Sequence, residues 1–218
     1  MQLTTKQVNN ILEIEDSYKA PGKLMEILLD KEKRKDVFDQ FVAINSNLDQ
    51  DCFFQYFQDE HAERKKYAQD FTPTDIGQLI VRMLNGGNES STTLDAASGT
   101  GGLTIDKWCR DRRQPDYRPS NYFYQCEELS DRAVPFLLFN LAIRGVNAVV
   151  VHCDVLTRSA KQVYFIQNVK DKTDQYSDIN VMPRSRAVEE IFDIRKWEGE
   201  PIVHIETSLE EFFEEASD

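Results

Sequence analysis

The stretch Thr93-Leu94-Asp95-Ala96-Ala97-Ser98-Gly99-Thr100-Gly101-Gly102-Leu103 decides how the rest of the chain is read. It runs from a short apolar strand, through an acidic residue and a small-residue loop, straight into a helix. Glycine has no Cβ and adopts positive φ readily. A loop of this kind therefore turns sharply and offers its N–H groups to a nucleotide-like ligand. Taken alone, Gly-x-Gly-Gly also serves simple packing of a strand against the helix that follows. At this point both readings stand.

Working outward, the pattern alternates. Strands are expected at 92–96, 121–127 and 147–154. Helices are expected at 102–112 and 131–144, the second closed by Gly145 as a C-cap. Strand–helix–strand spacing of this kind implies a parallel sheet with right-handed crossovers. Ligands of such sheets bind at the carboxyl ends of the strands. The glycine loop, Glu127 and Asp154 all fall at ends of that sort.

Upstream, residues 1–69 read as a helical region. Leu24, Ile27 and Leu28, then Val37, Phe38, Phe41, Val42 and Ile44, recur at helical spacing. Pro21-Gly22 punctuates the first two segments. The aromatic block Phe53, Phe54, Tyr56 and Phe57 is read as packing between helices rather than as a base-stacking platform. Downstream, 162–167 and 176–182 flank the polar run Lys170-Asp171-Lys172-Thr173-Asp174, which reads as a β-hairpin. The chain closes on Glu210-Glu211-Phe212-Phe213-Glu214-Glu215-Ala216-Ser217-Asp218. This acidic tail reads as a solvated amphipathic helix packing Leu209, Phe212 and Phe213, with mimicry of DNA phosphates as the competing reading.

The 218 residues suffice for one sizeable core with a helical annex, and 40% hydrophobic content fits a globular protein. No apolar run approaches the roughly 20 residues that span a bilayer, and the first residues lack a signal-peptide pattern, so a cytoplasmic protein with no membrane partner is expected. Cys52, Cys109, Cys126 and Cys153 form no Cys-x-x-Cys pair, so neither zinc nor a disulfide framework is expected. A net charge of −12 argues against strong nonspecific affinity for nucleic acid. The basic cluster Arg110, Arg112, Arg113 and Arg118 reads first as the solvated end of a helix.

Three ligand classes compete for the glycine loop. A phosphate-gripping P-loop needs Gly-Lys-Ser/Thr, which is absent. A dinucleotide site wants a glycine where Thr104 stands. The third option is an S-adenosylmethionine site, which must hold a cation and an amino-acid end instead of a pyrophosphate.

Here the chain resembles a family, the N6-adenine DNA methyltransferases of the type I restriction-modification modification-subunit kind. The resemblance spans 37–156. Asp70-Phe71-Thr72-Pro73 and the helix at 74–84 are similar to the Phe/Tyr-Thr-Pro segment ahead of the core. Asp95 to Gly102 is similar to the Asp-Pro-x-Cys-Gly-x-Gly loop, and Phe123-Tyr124-Gln125-Cys126-Glu127 to the second strand with its acid. Asn140-Leu141 with Arg144-Gly145, and His152-Cys153-Asp154-Val155-Leu156, resemble the Asn-Leu…Gly and Gly-Asp-x-Leu blocks. Lys35 to Phe41 is similar to the helical lead-in of phage and mobile-element relatives.

The resemblance implies an α/β fold: a Rossmann-like class I methyltransferase core at 70–160, a helical N-terminal annex, and a hairpin with acidic tail at 161–218 completing the sheet. It implies S-adenosylmethionine as cofactor. Ser98, Gly99 and Gly101 would cradle the methionine and ribose parts. Asp95 would take the ammonium group, and Glu127 both ribose hydroxyls, a task suited to a carboxylate with two acceptor oxygens. Asp154 would accept from the adenine amino group. Phe71 and Pro73 would wall the pocket, with Thr72 near the methionine carboxylate.

One part of the family pattern is missing. N6-adenine methylation needs a flipped base whose amino group is held by carbonyl-type acceptors, and the family supplies these through Asn/Asp-Pro-Pro-Tyr/Phe. The chain has no such tetrapeptide. The nearest stretch, Asp178-Ile179-Asn180-Val181-Met182-Pro183-Arg184-Ser185, has Met182, Arg184 and Ser185 at the decisive positions and reads instead as the second strand of the hairpin. No catalytic residue is therefore assigned. The expected function is that of a methyltransferase-like protein that is incomplete alone and reaches DNA through a partner subunit. The alternative is a non-enzymatic module, such as a phage-encoded inhibitor of a host defence or restriction-modification protein. A small-molecule or protein methyltransferase is a third reading, which the Phe-Thr-Pro block argues against.

Overall fold

The computed structural model describes residues 3–60, 76–77, 80–81 and 91–207. Three strands follow the alternation read from the sequence: β1 (Thr92–Ala96), β2 (Phe123–Glu128) and β3 (Ala148–Asp154). Helix α5 (Gly102–Asp111) joins the first two, and α6 (Val134–Ala142) the second two. β1 lies parallel to β2 and β2 parallel to β3, as two successive crossovers require.

β4 (Ser159–Gln167) turns back antiparallel along β3, and β5 (Asp178–Val181) pairs antiparallel with the far half of β4. The hairpin expected at 162–182 thus extends the sheet from its β3 side. The strand order is β1-β2-β3-β4-β5, with the short β6 (Lys196–Trp197) parallel to the start of β4. The architecture is mixed α/β, compatible with a methyltransferase-like fold, and among the described residues the strands run to one side of β1 only.

Ahead of β1, the described residues include α1 (Thr5–Ile11), α2 (Ala20–Leu28), α3 (Lys31–Ile44) and α4 (Phe54–Glu60). Thr4 opens α1 with a capping box shared with Gln7, and Asp30 opens α3 by accepting from Lys33 N. Pro21 and Gly22 mark the start of α2, directly after a 3₁₀ turn at Ser17–Lys19. Pro21 sits in the first turn of α2, where its missing N–H would have had no intrahelical acceptor.

Register pairs place Thr93 and Asp95 of β1, Tyr124, Cys126 and Glu128 of β2, and Ala148, Val150 and His152 of β3 on one face. That face carries the main core. Phe38, Phe41, Phe53, Tyr56 and Phe57 from the N-terminal helices pack with Phe136 and Phe139 of α6 and with Tyr124, Cys126 and Val150 of the sheet. Ring centroids stand 4.7 Å apart for Phe38–Phe139 and 4.8 Å for Phe53–Phe139. The aromatic block at 53–57 therefore packs helices together, as read from the sequence. The annex at 3–60 is continuous with the sheet's own core. On the opposite face a smaller cluster joins Val149, Val151 and Val163 to Val188 of α7 (Arg186–Ile191) and to Ile194.

Of the basic cluster, Arg112 is bonded to the Asp49 carboxylate. Arg113 lies 4.0 Å from Asp49 and Arg118 3.9 Å from Asp171. Phe71, Thr72 and Pro73, and the tail with Leu209, Phe212 and Phe213, lie outside the described residues. Among the described residues no helix is long and apolar enough to cross a membrane.

Candidate functional site

β1 delivers the chain to the carboxyl edge of the sheet, where three successive devices shape the loop. Ala97 takes φ 64°, Gly99 φ 58° and Gly101 φ 94°. Ser98 anchors the turn: its N–H donates to the Glu127 carbonyl at 2.9 Å, and its hydroxyl to the Asp95 carbonyl at 2.6 Å. Gly101 then caps α5 and lies so close to α6 that a Cβ there would stand 2.8 Å from Leu137 Cδ1. The three glycine-loop residues singled out from the sequence, Ser98, Gly99 and Gly101, thus form one tight turn against the end of β2.

The acids separate by face. Asp95 points to the helical face, where Thr104 Oγ1 donates to its Oδ2 at 2.9 Å, and burial pushes its carboxyl above the ordinary value. Thr104, standing where a dinucleotide fingerprint would have glycine, is thus the partner of the loop's acid. Glu128 shares that face. It is 5% exposed, accepting from Gly99 N at 2.7 Å and from Ser130 N at 2.8 Å. Burial raises its carboxyl as well, with the charge of Asp95 a smaller contribution. Two desolvated carboxylates therefore flank the loop.

Glu127 projects to the other face. It is 4% exposed, and Arg158 engages it bidentately, Nη1 to Oε2 at 2.8 Å and Nη2 to Oε1 at 3.1 Å. Gln125 Nε2 adds a third bond at 3.1 Å. Arg158 also donates to the carbonyls of Phe192 and Asp193. Both Glu127 oxygens are occupied in holding the end of β2 to the β3–β4 turn and the end of α7.

Asp154 ends β3 on the helical face. Its Oδ1 accepts from Leu156 N at 2.9 Å and Thr157 N at 3.3 Å, and these amides hold the carboxyl below the ordinary range. It serves the turn into β4. Asp95, Ser98, Gly99 and Gly101 are gathered at one place, Glu127 touches them through its backbone carbonyl, and Asp154 lies one strand further along the same edge.

Glu128 and Thr104 were not singled out in the sequence, nor was Asp51, whose side chain reaches Thr100 in the loop. Glu128 shares a face with Asp95 only through the register of β1 and β2, which the apolar and aromatic residues of β2 do not disclose. Nothing local marks Asp51.

A parallel α/β edge with a glycine turn and acids at adjacent strand ends is the place where ligands of such sheets ordinarily bind. The family described as N-6 DNA Methylase matches residues 50–182, more than half of the chain, and the chain belongs to that family. Comparison with curated proteins and with solved structures gave no match. The matched range opens beside Asp51 and closes at Met182, just past β5.

Proposed function

We propose that this chain binds S-adenosylmethionine, the methyl donor its family generally uses, and that it is catalytically incomplete on its own. The observation that carries the first half is the loop with the buried Glu128 and the half-buried Asp95 on one face. Asp95 would receive the cofactor ammonium, whose charge compensates a carboxylate that burial has left unfavourably ionised. Ser98, Gly99 and Gly101 would approach the cofactor through backbone. The ribose hydroxyls, assigned from the resemblance to Glu127, fall to Glu128. Glu128 lies on the face of Asp95 and bonds the loop amide of Gly99, whereas Glu127 lies on the opposite face in an ion pair with Arg158. Asp154 keeps the adenine-amino role, and Phe71, Thr72 and Pro73 the wall of the pocket.

The second half rests on β5. The stretch at the distance expected for an acceptor tetrapeptide pairs Ile179 with Ile166 and Val181 with Tyr164 as an edge hairpin strand. Past the end of β5, Met182 N donates to the Val163 carbonyl and the Pro183 carbonyl accepts from Ser185 N, and Met182, Arg184 and Ser185 supply no side-chain amide, second proline or aromatic ring to orient an adenine amino group. A methyl donor held without an oriented acceptor gives no productive geometry.

DNA would be reached through a partner subunit in a restriction-modification or phage system. β1 supports this: among the described strands it has β2 as its one neighbour, and Leu94 in its middle is 61% exposed. Parallel strands are ordinarily covered on both sides. A non-enzymatic module that senses the cofactor or blocks a host defence protein is the second reading, favoured by the same hairpin and by the charge of −12.

Titration calorimetry with S-adenosylmethionine and S-adenosylhomocysteine tests the first half; absence of heat for both ends it. Incubating the chain with DNA and radiolabelled cofactor tests the second. No transfer is expected from the chain alone, and transfer abolished by Asp95→Ala overturns incompleteness.

A further inference from the structure

We infer that Asp51, on the strap leading into α4, is a positioning residue for the glycine loop, acting through Thr100 and Asn140. The inference rests on the reading that this loop holds an adenosyl cofactor.

Thr100 is the one loop residue turned wholly inward. It is 0% exposed and lies between Gly99 and Gly101, both at positive φ. Its hydroxyl donates to Asp51 Oδ2, and its carbonyl accepts from Asn140 Nδ2 at 2.9 Å. Asn140, in the middle of α6, donates from the same nitrogen to Asp51 Oδ1 at 2.6 Å. Its Oδ1 accepts from Cys52 N and Arg144 Nη1, each at 3.2 Å. Both amide hydrogens and both lone pairs of Asn140 are thereby used.

The strap is held from the other side too. Arg144 donates to the carbonyls of Leu48 at 3.0 Å and Gln50 at 2.6 Å. Asp51, 6% exposed, also accepts from Phe53 N at 2.8 Å, fixing the turn into α4. The N-terminal annex therefore reaches across 49 positions of sequence to grip the loop at one residue.

The chemistry explains why that residue matters. A glycine on each side of Thr100 gives the loop far more accessible conformations than an ordinary turn. Left unpinned, it would have to be ordered by the ligand, at a cost in affinity. A side-chain bond and a backbone bond to Thr100 remove that freedom beforehand. They leave Gly99 N–H directed at Glu128, the edge where the cofactor is proposed to lie.

The test separates positioning from simple stability. Thr100→Val removes the hydroxyl at nearly constant shape, Thr100→Ser keeps it, and Asp51→Asn removes the charge. Leu24→Ala, in the fully buried core of α2, lowers global stability away from the loop. Hydrogen exchange of the 98–102 amides, S-adenosylhomocysteine affinity and urea unfolding are measured on each. Thr100→Val and Asp51→Asn are expected to speed loop exchange and weaken binding, each about tenfold, which Thr100→Ser restores. Leu24→Ala should do neither at equal or larger loss of stability. Loop exchange in Thr100→Val no faster than in Leu24→Ala overturns the inference, as does failure of Thr100→Ser to restore it. If the wild type binds no S-adenosylhomocysteine, the cofactor reading fails, and the exchange measurement still decides whether Asp51 and Thr100 hold the loop.

Discussion

Gly101 concentrates the demands that the loop places on single residues. Its φ of 94° disfavours any side chain, and Leu137 leaves no room for one. Gly101→Ala is therefore expected to lower unfolding free energy by about 1–2 kcal/mol through backbone strain. It should also abolish adenosyl-ligand binding, read by urea denaturation and calorimetry on the same preparation. Asp106, on α5 behind the loop, gives a pH signature. Burial raises its carboxyl from 3.8 to about 6. The folded state then holds the proton more tightly than the unfolded chain, so stability falls as pH rises from near 4 through 6 and is level above. Asp106→Asn removes that slope. Its advantage over the wild type should open between pH 4 and 6 and stay constant beyond, and an advantage independent of pH would contradict the assignment.

Secondary-structure elements are held in register by a few buried polar ties as well as by the apolar cores. Arg158 binds the end of β2, through Glu127, to the end of α7, through the Phe192 carbonyl. Removing it strands a buried carboxylate, and loss of one partner of a buried pair costs about 3 kcal/mol. Arg158→Met should lower stability by that order, and adding Glu127→Gln should recover most of it. Were Glu127→Gln alone to reduce cofactor affinity as strongly as Glu128→Gln, the division of labour between the two acids would be wrong. Gly145 plays the comparable part for α6. It follows the helix at φ 64°, and a Cβ there would come within 2.1 Å of the Gln175 carbonyl. The C-cap itself is Ile143, two residues earlier than expected, and the left-handed turn at Gly145 is held by the β4–β5 loop.

Across the whole molecule, the two ends of the described chain close on each other. Arg34 of α3 is bonded to Glu206 through both nitrogens at 2.6 Å, and Lys31 Nζ lies 3.0 Å from Asp178 of β5. Glu206 also accepts from Ile179 N, and the His204 carbonyl accepts from Val181 N, so this strap covers the outer edge of β5. Burial alone would raise the Glu206 carboxyl, but Arg34 holds it below the ordinary range. The sign follows: its contribution is complete above the unfolded carboxylate value of about 4.3 and lost as pH falls through the lower folded value. Limited proteolysis within 202–207 should be slow at neutral pH and accelerate on acidification. In Arg34→Met it should be fast at every pH, and an acid dependence unchanged by that substitution would exclude the clasp as its cause.

The sequence by itself determined the element order, because the α/β alternation and the glycine loop are local signals carried by neighbouring residues. β1 occupies 92–96 as read, and β2 and β3 differ from the reading by one or two residues at their ends. The hairpin at 162–182 was equally legible, since turn chemistry between two apolar runs needs no distant partner. Face and long-range contact were not. Phe123, Tyr124 and Cys126 are all apolar or aromatic, so alternation along β2 did not reveal which of Glu127 and Glu128 shares a face with Asp95. That was decided when α5 and α6 packed on one side of the sheet. Pro21 marked a segment boundary in the sequence, and the folded chain shows that boundary to be the first turn of α2. Asp51 was silent because its partners stand 49 and 89 positions away. The glycine turn from strand to helix was written in the sequence. Which carboxylates share its face, and which distant residues bond it, were decided by tertiary packing, because a side chain's surroundings depend on the face it lies on and the segments folded over it.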